Sequence, residues 1–123
     1  MRHPLILPVW LTFICCVIVG SLAPATSPLM VAVASLHIYD KVQHFGAYLV
    51  LAFLPAIGFR DRHRGIVAVI SIFALGVLLE AGQHFSAGRT VDAADVVANT
   101  AGIGCALVIA FPLRCRKGNP DDL

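Results

Sequence analysis

Charge is what this sequence has least of. Only 13% of its 123 residues are Asp, Glu, Lys or Arg, whereas 59% are hydrophobic. Soluble domains average about 25% charged and roughly 45–50% apolar residues, so the balance excludes an ordinary soluble fold and predicts one small polytopic membrane domain over residues 1–123. The formal net charge of +2 is small and divided between ends and loops. It favours a role in membrane topology over nucleic-acid binding.

Signatures of conventional soluble-type enzymes are also missing. The sequence has no Gly-rich phosphate loop and no Ser/His/Asp nucleophile pattern, and its length leaves no room for a separate catalytic domain. Cys15, Cys16, Cys105 and Cys115 show no CxxC or disulfide-framework spacing. Three of them lie in apolar runs, where a thiol packs as a small hydrophobe. Whether the protein is an enzyme therefore stays open, and no cofactor is predicted.

Long apolar runs dominate what is present. A helix needs about 20 residues to cross a membrane core about 30 Å thick, and we predict an all-α bundle of four transmembrane helices. The predicted spans are about residues 5–23, 40–59, 66–85 and 95–113. Pro24–Tyr39 is predicted to be an outer loop, and Arg60–Gly65 a tight basic loop. Ala23-Pro-Ala25 also resembles a signal-peptide cleavage site, but the first run exceeds the 7–15 apolar residues of such peptides, which favours an uncleaved helix.

Lysine and arginine are concentrated on one side of the predicted bundle. That side holds Arg2, Arg60, Arg62, Arg64, Arg114, Arg116 and Lys117. The opposite side holds only Lys41 and Arg89. Cytoplasmic loops are enriched in Lys and Arg, so both termini and the basic loop are predicted to be cytoplasmic (N-in/C-in).

Each of the last three predicted helices carries one polar stripe. Its members are three or four residues apart, which places them on one helix face. In chain order they are Asp40, His44 and Tyr48; Glu80, Gln83 and His84; and Asp92, Asp95 and Asn99. At 1.5 Å per residue, His44, Glu80 and Asn99 each lie about 6–8 Å below the outer surface. Because an ionisable group facing lipid costs about 2.5–3.5 kcal/mol at the bilayer centre, we expect the stripes to meet in an outward-facing polar pocket.

Two cations lie on the predicted outer side. We expect Glu80 to bond His44, His84 or Arg89. Arg89 is suited to pair with a carboxylate or an incoming anion, while Lys41 fits an interface anchor and a ligand group equally well. A buried polar network that only locks helix packing is the alternative interpretation. Close helix approach around the pocket is predicted at Gly76, Gly82, Gly88, Gly102 and Gly104.

At these residues the chain resembles the VanZ-like family of small bacterial membrane proteins. Asp40-Lys-Val-Gln-His-Phe-Gly-Ala-Tyr48 is similar to that family's D-K-x-x-H-F-x-x-Y helix opening. Glu80-Ala-Gly-Gln, Gly88-Arg-Thr and Asp92-x-x-Asp95-x-x-x-Asn99-x-x-Gly102 are similar to its later motifs. The resemblance implies a four-helix protein of the bacterial inner membrane with these residues as a shared polar core. His84 is not part of the pattern.

Three functions remain open. The first is a binding module for an anionic amphiphile of the outer leaflet, such as a phospholipid or a polyprenyl-phosphate envelope precursor. Its cationic partners would be Lys41, His44 and Arg89, with Asp92, Asp95 and Asn99 orienting Arg89.

The second is an intramembrane metal-dependent hydrolase that uses Asp40 with His44 and Glu80 with His84. No metallohydrolase motif accompanies that spacing, so no metal is predicted. The third is a non-catalytic scaffold for another envelope protein. The sequence leaves the oligomeric state open.

Overall fold

The fold is all-helical, as predicted, in the computed structural model of the chain, which describes residues 4–36, 38–88 and 90–116. These residues form five helices and no strand. The helices are α1 (Ile6–Leu22), α2 (Pro28–Ala34), α3 (Asp40–Gly58), α4 (Arg62–Gln83) and α5 (Ala93–Arg116). Within this part of the chain, α4 and α5 are long and apolar enough to cross a membrane, and α1 is a shorter apolar helix.

Two predicted loops are partly helical, because short polar side chains cap helices there. The predicted outer loop contains α2, whose first turn is capped where the Ser27 side chain accepts a hydrogen bond from the Met30 amide at 3.3 Å. Pro28 follows the cap, a position that needs no amide donor. In the predicted basic loop, the Asp61 side chain accepts from the His63 amide at 2.9 Å. α4 therefore starts at Arg62, so most of the segment predicted as a basic loop is helical.

Helices α3 and α5 make the closest pair in the bundle. A Cβ atom at Gly102 would lie 2.3 Å from the Phe45 carbonyl oxygen, closer than any side chain tolerates. Beneath this crossing, Ala106 of α5 and Leu51 and Ala52 of α3 are completely buried. The absence of a side chain at Gly102 therefore sets the distance between the two helices.

The other glycines predicted to lie at helix contacts differ in their surroundings. A Cβ at Gly76 would lie 2.8 Å from the buried Tyr48 ring, and one at Gly82 would lie 3.1 Å from Leu22. Gly88 lies in a turn at φ +74°, a left-handed conformation that favours glycine. A Cβ at Gly104 would meet no atom of the described residues within 4 Å, so the prediction that Gly104 lies at a helix contact is wrong.

A tryptophan from α1 replaces a hydrogen bond that a proline removes from α3. Pro55 lies inside α3 and has no amide hydrogen to donate to the Leu51 carbonyl one turn earlier. The buried Trp10 Nε1 donates to that carbonyl at 2.8 Å. The contact ties α1 to the middle of α3 and gives a buried carbonyl the donor it needs.

The two ends of the bundle differ in charge. At the end that we call the basic end, α3 stops and α4 begins beside the end of α5. There Arg114 Nη1 donates to the Ala56 carbonyl at 2.8 Å, and Nη2 donates to those of Phe59 and Arg60 at 2.9 and 3.2 Å. These are carbonyls at the end of α3, where a helix lacks its own donors. The opposite end, the polar end, is where α1 and α4 finish and α3 and α5 begin.

Candidate functional site

Two connections meet at the polar end and hold each other in place. The segment after α1 contacts the segment after α4 through the Ser86 hydroxyl, which donates to the Leu22 carbonyl at 2.9 Å. The Ala25 amide donates to the Ala87 carbonyl at 3.3 Å. These two hydrogen bonds hold the segment that follows α4 beside the first turns of α3 and α5.

Lys41 lies at the centre of the polar end. Its ammonium donates to Asp92 at 2.5 Å and also to Asp95, thus bridging α3 to the start of α5. The two carboxylates differ in burial, since the Asp92 side chain is 48% exposed and that of Asp95 only 4%. The hydrogen bond from Lys41, followed by one from the Ala94 amide, lowers the pKa of the Asp92 carboxyl below its usual range. The Asp92 carboxyl is therefore charged at neutral pH.

Among the described residues, Glu80 accepts a hydrogen bond from the backbone. It is buried near the end of α4, and its Oε1 accepts a hydrogen bond from the Asp92 amide at 2.8 Å. The expected partners were His44, His84 or Arg89, and of these His44 and His84 make no hydrogen bond to it within the described residues. Gln83, one turn later, is also buried at the polar end. Glu80 thus fixes the chain just before α5.

His44 faces two carboxylates and one amide. Its Nδ1 contacts Asn99 Oδ1 at 3.0 Å. Its Nε2 lies 3.8 Å from Asp40 Oδ1 and 3.8 Å from Asp95 Oδ2. The imidazole is mostly buried, with 14% of its side chain exposed. Helices α3 and α5 therefore position His44 from both sides.

Two clefts adjoin at these residues, and Asp40 and His44 line both. The first, of about 160 Å³, is mainly apolar and lies between α1, α2 and α3, with Val17, Met30 and Val33 among its lining residues. We call it the apolar cleft. The second, of about 190 Å³, is mainly polar. We call it the polar cleft, and its lining includes Lys41, Gln83, Gly88, Thr90, Asp92 and Asp95.

Comparison with protein families identifies the chain. The VanZ/LLP1 family matches residues 6–114, which include both clefts and every helix contact described above. The chain belongs to the VanZ/LLP1 family. No curated protein and no solved structure matches it.

For this VanZ/LLP1 chain, the structure brings most of the residues predicted for the site to one end of the bundle. They are Asp40, Lys41, His44, Glu80, Gln83, Asp92, Asp95 and Asn99. Tyr48 lines the apolar cleft, where its ring packs on Gly76. Arg89 lies outside the described residues, as do Arg2 and Lys117.

The orientation of Arg89 by Asp92 and Asp95 stays a prediction, because Arg89 lies outside the described residues. Both carboxylates pair with Lys41, because the first turn of α3 lies against the start of α5 at the same level. One expected arrangement is different in the structure. His84 was expected to share a helix face with Glu80, but Glu80 is buried whereas His84, the cap residue after α4, is exposed. The exposed His84 ring instead packs edge-on against Phe85, with centroids 5.4 Å apart.

Two features of the VanZ/LLP1 site were not predicted. The α2 residues Met30 and Val33 form one wall of the apolar cleft, although their run is too short to span a membrane. The Ser27-Pro28 pair before them is a helix-start signal that marks α2 in the sequence. Asp95 was expected to act on Arg89, and its proximity to both Asp40 and His44 depends on the α3–α5 crossing at Gly102.

Proposed function

We propose that this VanZ/LLP1 protein is a multi-pass protein of the bacterial cell envelope whose outward-facing pocket binds an anionic amphiphile. In this proposal α1, α3, α4 and α5 cross the inner membrane, with both termini in the cytoplasm. The basic end then faces the cytoplasm, in line with the distribution of Lys and Arg. The polar end faces outward and opens the two clefts to the outer leaflet.

The topology can be tested with reporter fusions. A reporter that is active only outside the cytoplasm should be active when inserted after Thr90 and inactive when fused after Leu123. A reporter that fluoresces only in the cytoplasm should give the opposite pattern. The same sign at both positions would contradict a four-span, N-in/C-in arrangement.

The observation that carries the binding proposal is the pairing of an apolar cleft with a polar one. Amphiphiles have an acyl or prenyl chain joined to a polar headgroup, and Asp40 and His44 lie at the corresponding boundary between the two clefts. The chain end of a ligand would lie against Val17, Met30 and Val33. Ligand sites in general combine an apolar lining with a few converging polar groups, which is the composition of the two clefts together.

The polar cleft also offers a donor for an anionic oxygen. An ammonium has three N–H donors, and in Lys41 two are used by Asp92 and Asp95. The third would bond a phosphate oxygen. Arg89 is the second cation that the sequence places here, between the cleft-lining Gly88 and Thr90. Both cations should therefore contribute to retention of an anionic headgroup.

Native mass spectrometry of the purified protein with defined lipids tests the headgroup. We expect the wild type to retain an anionic phospholipid or a polyprenyl phosphate more strongly than a zwitterionic phospholipid of the same chain length. Arg89→Ala and Lys41→Gln should each reduce this preference, because each removes a positive charge. Arg62→Gln at the basic end is the matched control. Equal retention in all four proteins would refute binding of an anionic headgroup at the polar end.

The apolar cleft is tested separately, on α2. Val33 lines the cleft, whereas Val31 on the same short helix is exposed. Val33→Asn should weaken retention of every lipid, irrespective of headgroup, because it places an amide against the chain. Val31→Asn changes the composition of α2 in the same way and should retain lipid as the wild type does. Equal loss in both variants would contradict a chain-binding role for this cleft.

A further inference from the structure

Three potential metal ligands converge at the boundary between the two clefts. They are one oxygen of Asp40, one ring nitrogen of His44 and one oxygen of Asp95, and all three atoms lie within 4.8 Å of one another. We propose that Asp40, His44 and Asp95 bind a divalent transition-metal ion such as Zn²⁺. The site uses two residues from the first turns of α3 and one from the first turn of α5.

The contact between His44 and Asn99 determines which nitrogen of the His44 imidazole has a lone pair available for a metal. Asn99 Oδ1 can only accept, so His44 Nδ1 carries the hydrogen of their 3.0 Å contact. In a neutral imidazole Nε2 then has a lone pair and no hydrogen. That lone pair faces the Asp40 and Asp95 carboxylates. A histidine that binds a metal typically donates its other N–H to an oxygen in this way.

The distances fit a cation between the three atoms. His44 Nε2 lies 3.8 Å from an oxygen of each aspartate, which is too long for a hydrogen bond. Ligands at about 2.0–2.2 Å from Zn²⁺ in tetrahedral geometry are separated by about 3.3–3.6 Å. Each distance from His44 to an aspartate would therefore contract by a few tenths of an ångström, and the two carboxylate oxygens, which lie within 4.8 Å of each other, would approach by up to about 1.5 Å. A cation bound between the three atoms would be attracted by both carboxylates and would accept the imidazole lone pair.

The supporting contacts hold two of the three ligands in place. The Asp95 side chain is only 4% exposed, and its other oxygen accepts from Lys41. His44 is held by Asn99, and the α3–α5 contact at Gly102 lies one turn further along. Asp40 is 63% exposed and can adjust to the ion. Partners that orient metal ligands in this manner tune both affinity and geometry.

The ligand types indicate the class of ion. Imidazole nitrogen suits Zn²⁺ and its neighbours, and carboxylate oxygen is accepted by the same ions, whereas the absence of a thiolate among the three ligands makes the site less selective for soft metals. Three protein ligands leave a further coordination position open. The polar cleft, which all three residues line, is where an additional ligand could reach that position.

The charges that line the polar cleft favour a bound cation. The polar cleft is lined by the carboxylates of Asp40, Asp92 and Asp95 and by the ammonium of Lys41, so an anionic headgroup would meet excess negative charge. A divalent cation at the proposed site would offset it and could bind a phosphate oxygen directly. This last role rests on the proposed function, whereas metal binding itself does not.

The experiment measures metal binding in the absence of added lipid. The full chain is purified in detergent, freed of metal with a chelator and titrated with Zn²⁺ against a competing chromophoric chelator. Asp40→Asn is the leading variant, because this exposed side chain is the least needed for folding, and Asp95→Asn is the second. Changing only a partner that orients a metal ligand alters affinity by about 10–100-fold, so loss of a ligand should weaken Zn²⁺ binding at least about tenfold.

Asp61→Asn at the basic end is the control, since it also removes one negative charge but lies outside both clefts, and asparagine can keep its cap of α4. It should keep Zn²⁺ affinity within about threefold of the wild type, well short of the tenfold change expected on losing a ligand. Lys41→Gln should bind Zn²⁺ more tightly than the wild type, because it removes a positive charge bonded to Asp95. The proposal is overturned if Asp40→Asn and Asp95→Asn, shown folded by circular dichroism, bind Zn²⁺ as the wild type does. It is equally overturned if Asp61→Asn loses as much. Lipid retention is measured separately, so either result leaves the amphiphile proposal to its own test.

Discussion

A single methyl group at Gly102 should separate the two helices that carry the site. In Gly102→Ala the new Cβ would lie 2.3 Å from the Phe45 carbonyl oxygen and 3.0 Å from the Leu49 amide nitrogen. Both atoms belong to the backbone of α3, so neither can rotate away. Relief requires α5 to move away from α3 or to shift along it.

The cost can be estimated from the distances. A carbon and an oxygen need about 3.2 Å or more to avoid repulsion, so the helices must separate by about 1 Å near Gly102. Overpacking of this kind costs about 1–3 kcal/mol, and occasionally more. Asn99 lies one turn from Gly102 on the same face of α5, so its 3.0 Å contact with His44 should lengthen as well. We therefore expect a destabilised bundle and a disturbed polar end together.

Thermal unfolding in detergent, followed by circular dichroism, measures the effect. Gly104→Ala is the matched control, because it makes the same change in the same helix at a position where a Cβ would meet no described atom within 4 Å. Replacing glycine by alanine inside a helix gains about 1 kcal/mol where there is space, so the control should unfold at the same temperature as the wild type or above it. Gly102→Ala should unfold at a lower temperature. If the two variants behave alike, Gly102 does not set the α3–α5 distance.

Two further predictions concern backbone acceptors that side chains from other helices satisfy. Trp10→Phe should lower stability by about 1–3 kcal/mol, because the Leu51 carbonyl loses the donor that replaces the missing proline amide. Pro55→Ala supplies an amide for that carbonyl. In a double-mutant cycle, Trp10→Phe should therefore lower the stability less in the Pro55→Ala background than in the wild type. Additive decreases in stability would contradict this explanation. Arg114→Gln should lower the unfolding temperature, because it removes a charged donor from the carbonyls at the end of α3. Arg62→Gln removes the same charge from an exposed position and should leave the unfolding temperature unchanged. Equal decreases in the unfolding temperature of both variants would assign the effect to net charge.

Spacing alone predicted much of the site, because residues three or four apart on one helix must share a face. Counting residues along two helices placed His44 and Asn99 at the same depth, and in the structure the two side chains are in contact. Spacing cannot show how two helices are rotated about their axes, which decides the partner of each polar group. Among the described residues Lys41 is bonded to Asp92 and Asp95, and Glu80 accepts from a backbone amide; residue spacing predicted neither contact.

Helix ends were the weaker part of the sequence prediction. Apolar runs predict where a helix can lie in a membrane, but capping side chains decide where it starts and stops. Asp61 extends α4 into the predicted basic loop, and Ser27 starts α2 in the predicted outer loop. At the end of α4 the Glu80 side chain is buried and the His84 side chain is exposed. Neither belongs to the group of three potential metal ligands among the described residues, in which Asp40 and His44 have Asp95 of α5 as their third member.

One face of α5 serves both packing and the polar end. Asp95, Asn99 and Gly102 follow one another at intervals of four and three residues, so they lie on one face of α5. The side-chain oxygens of Asp95 and Asn99 and the glycine that allows close packing therefore face α3 together. Closer approach at Gly102 is what brings Asp95 within reach of Asp40 and His44. Variants of exposed groups at the polar end should then lose binding with little change in stability, whereas Gly102→Ala should lose both. Measuring Zn²⁺ affinity and unfolding temperature on the same set of variants separates these two classes.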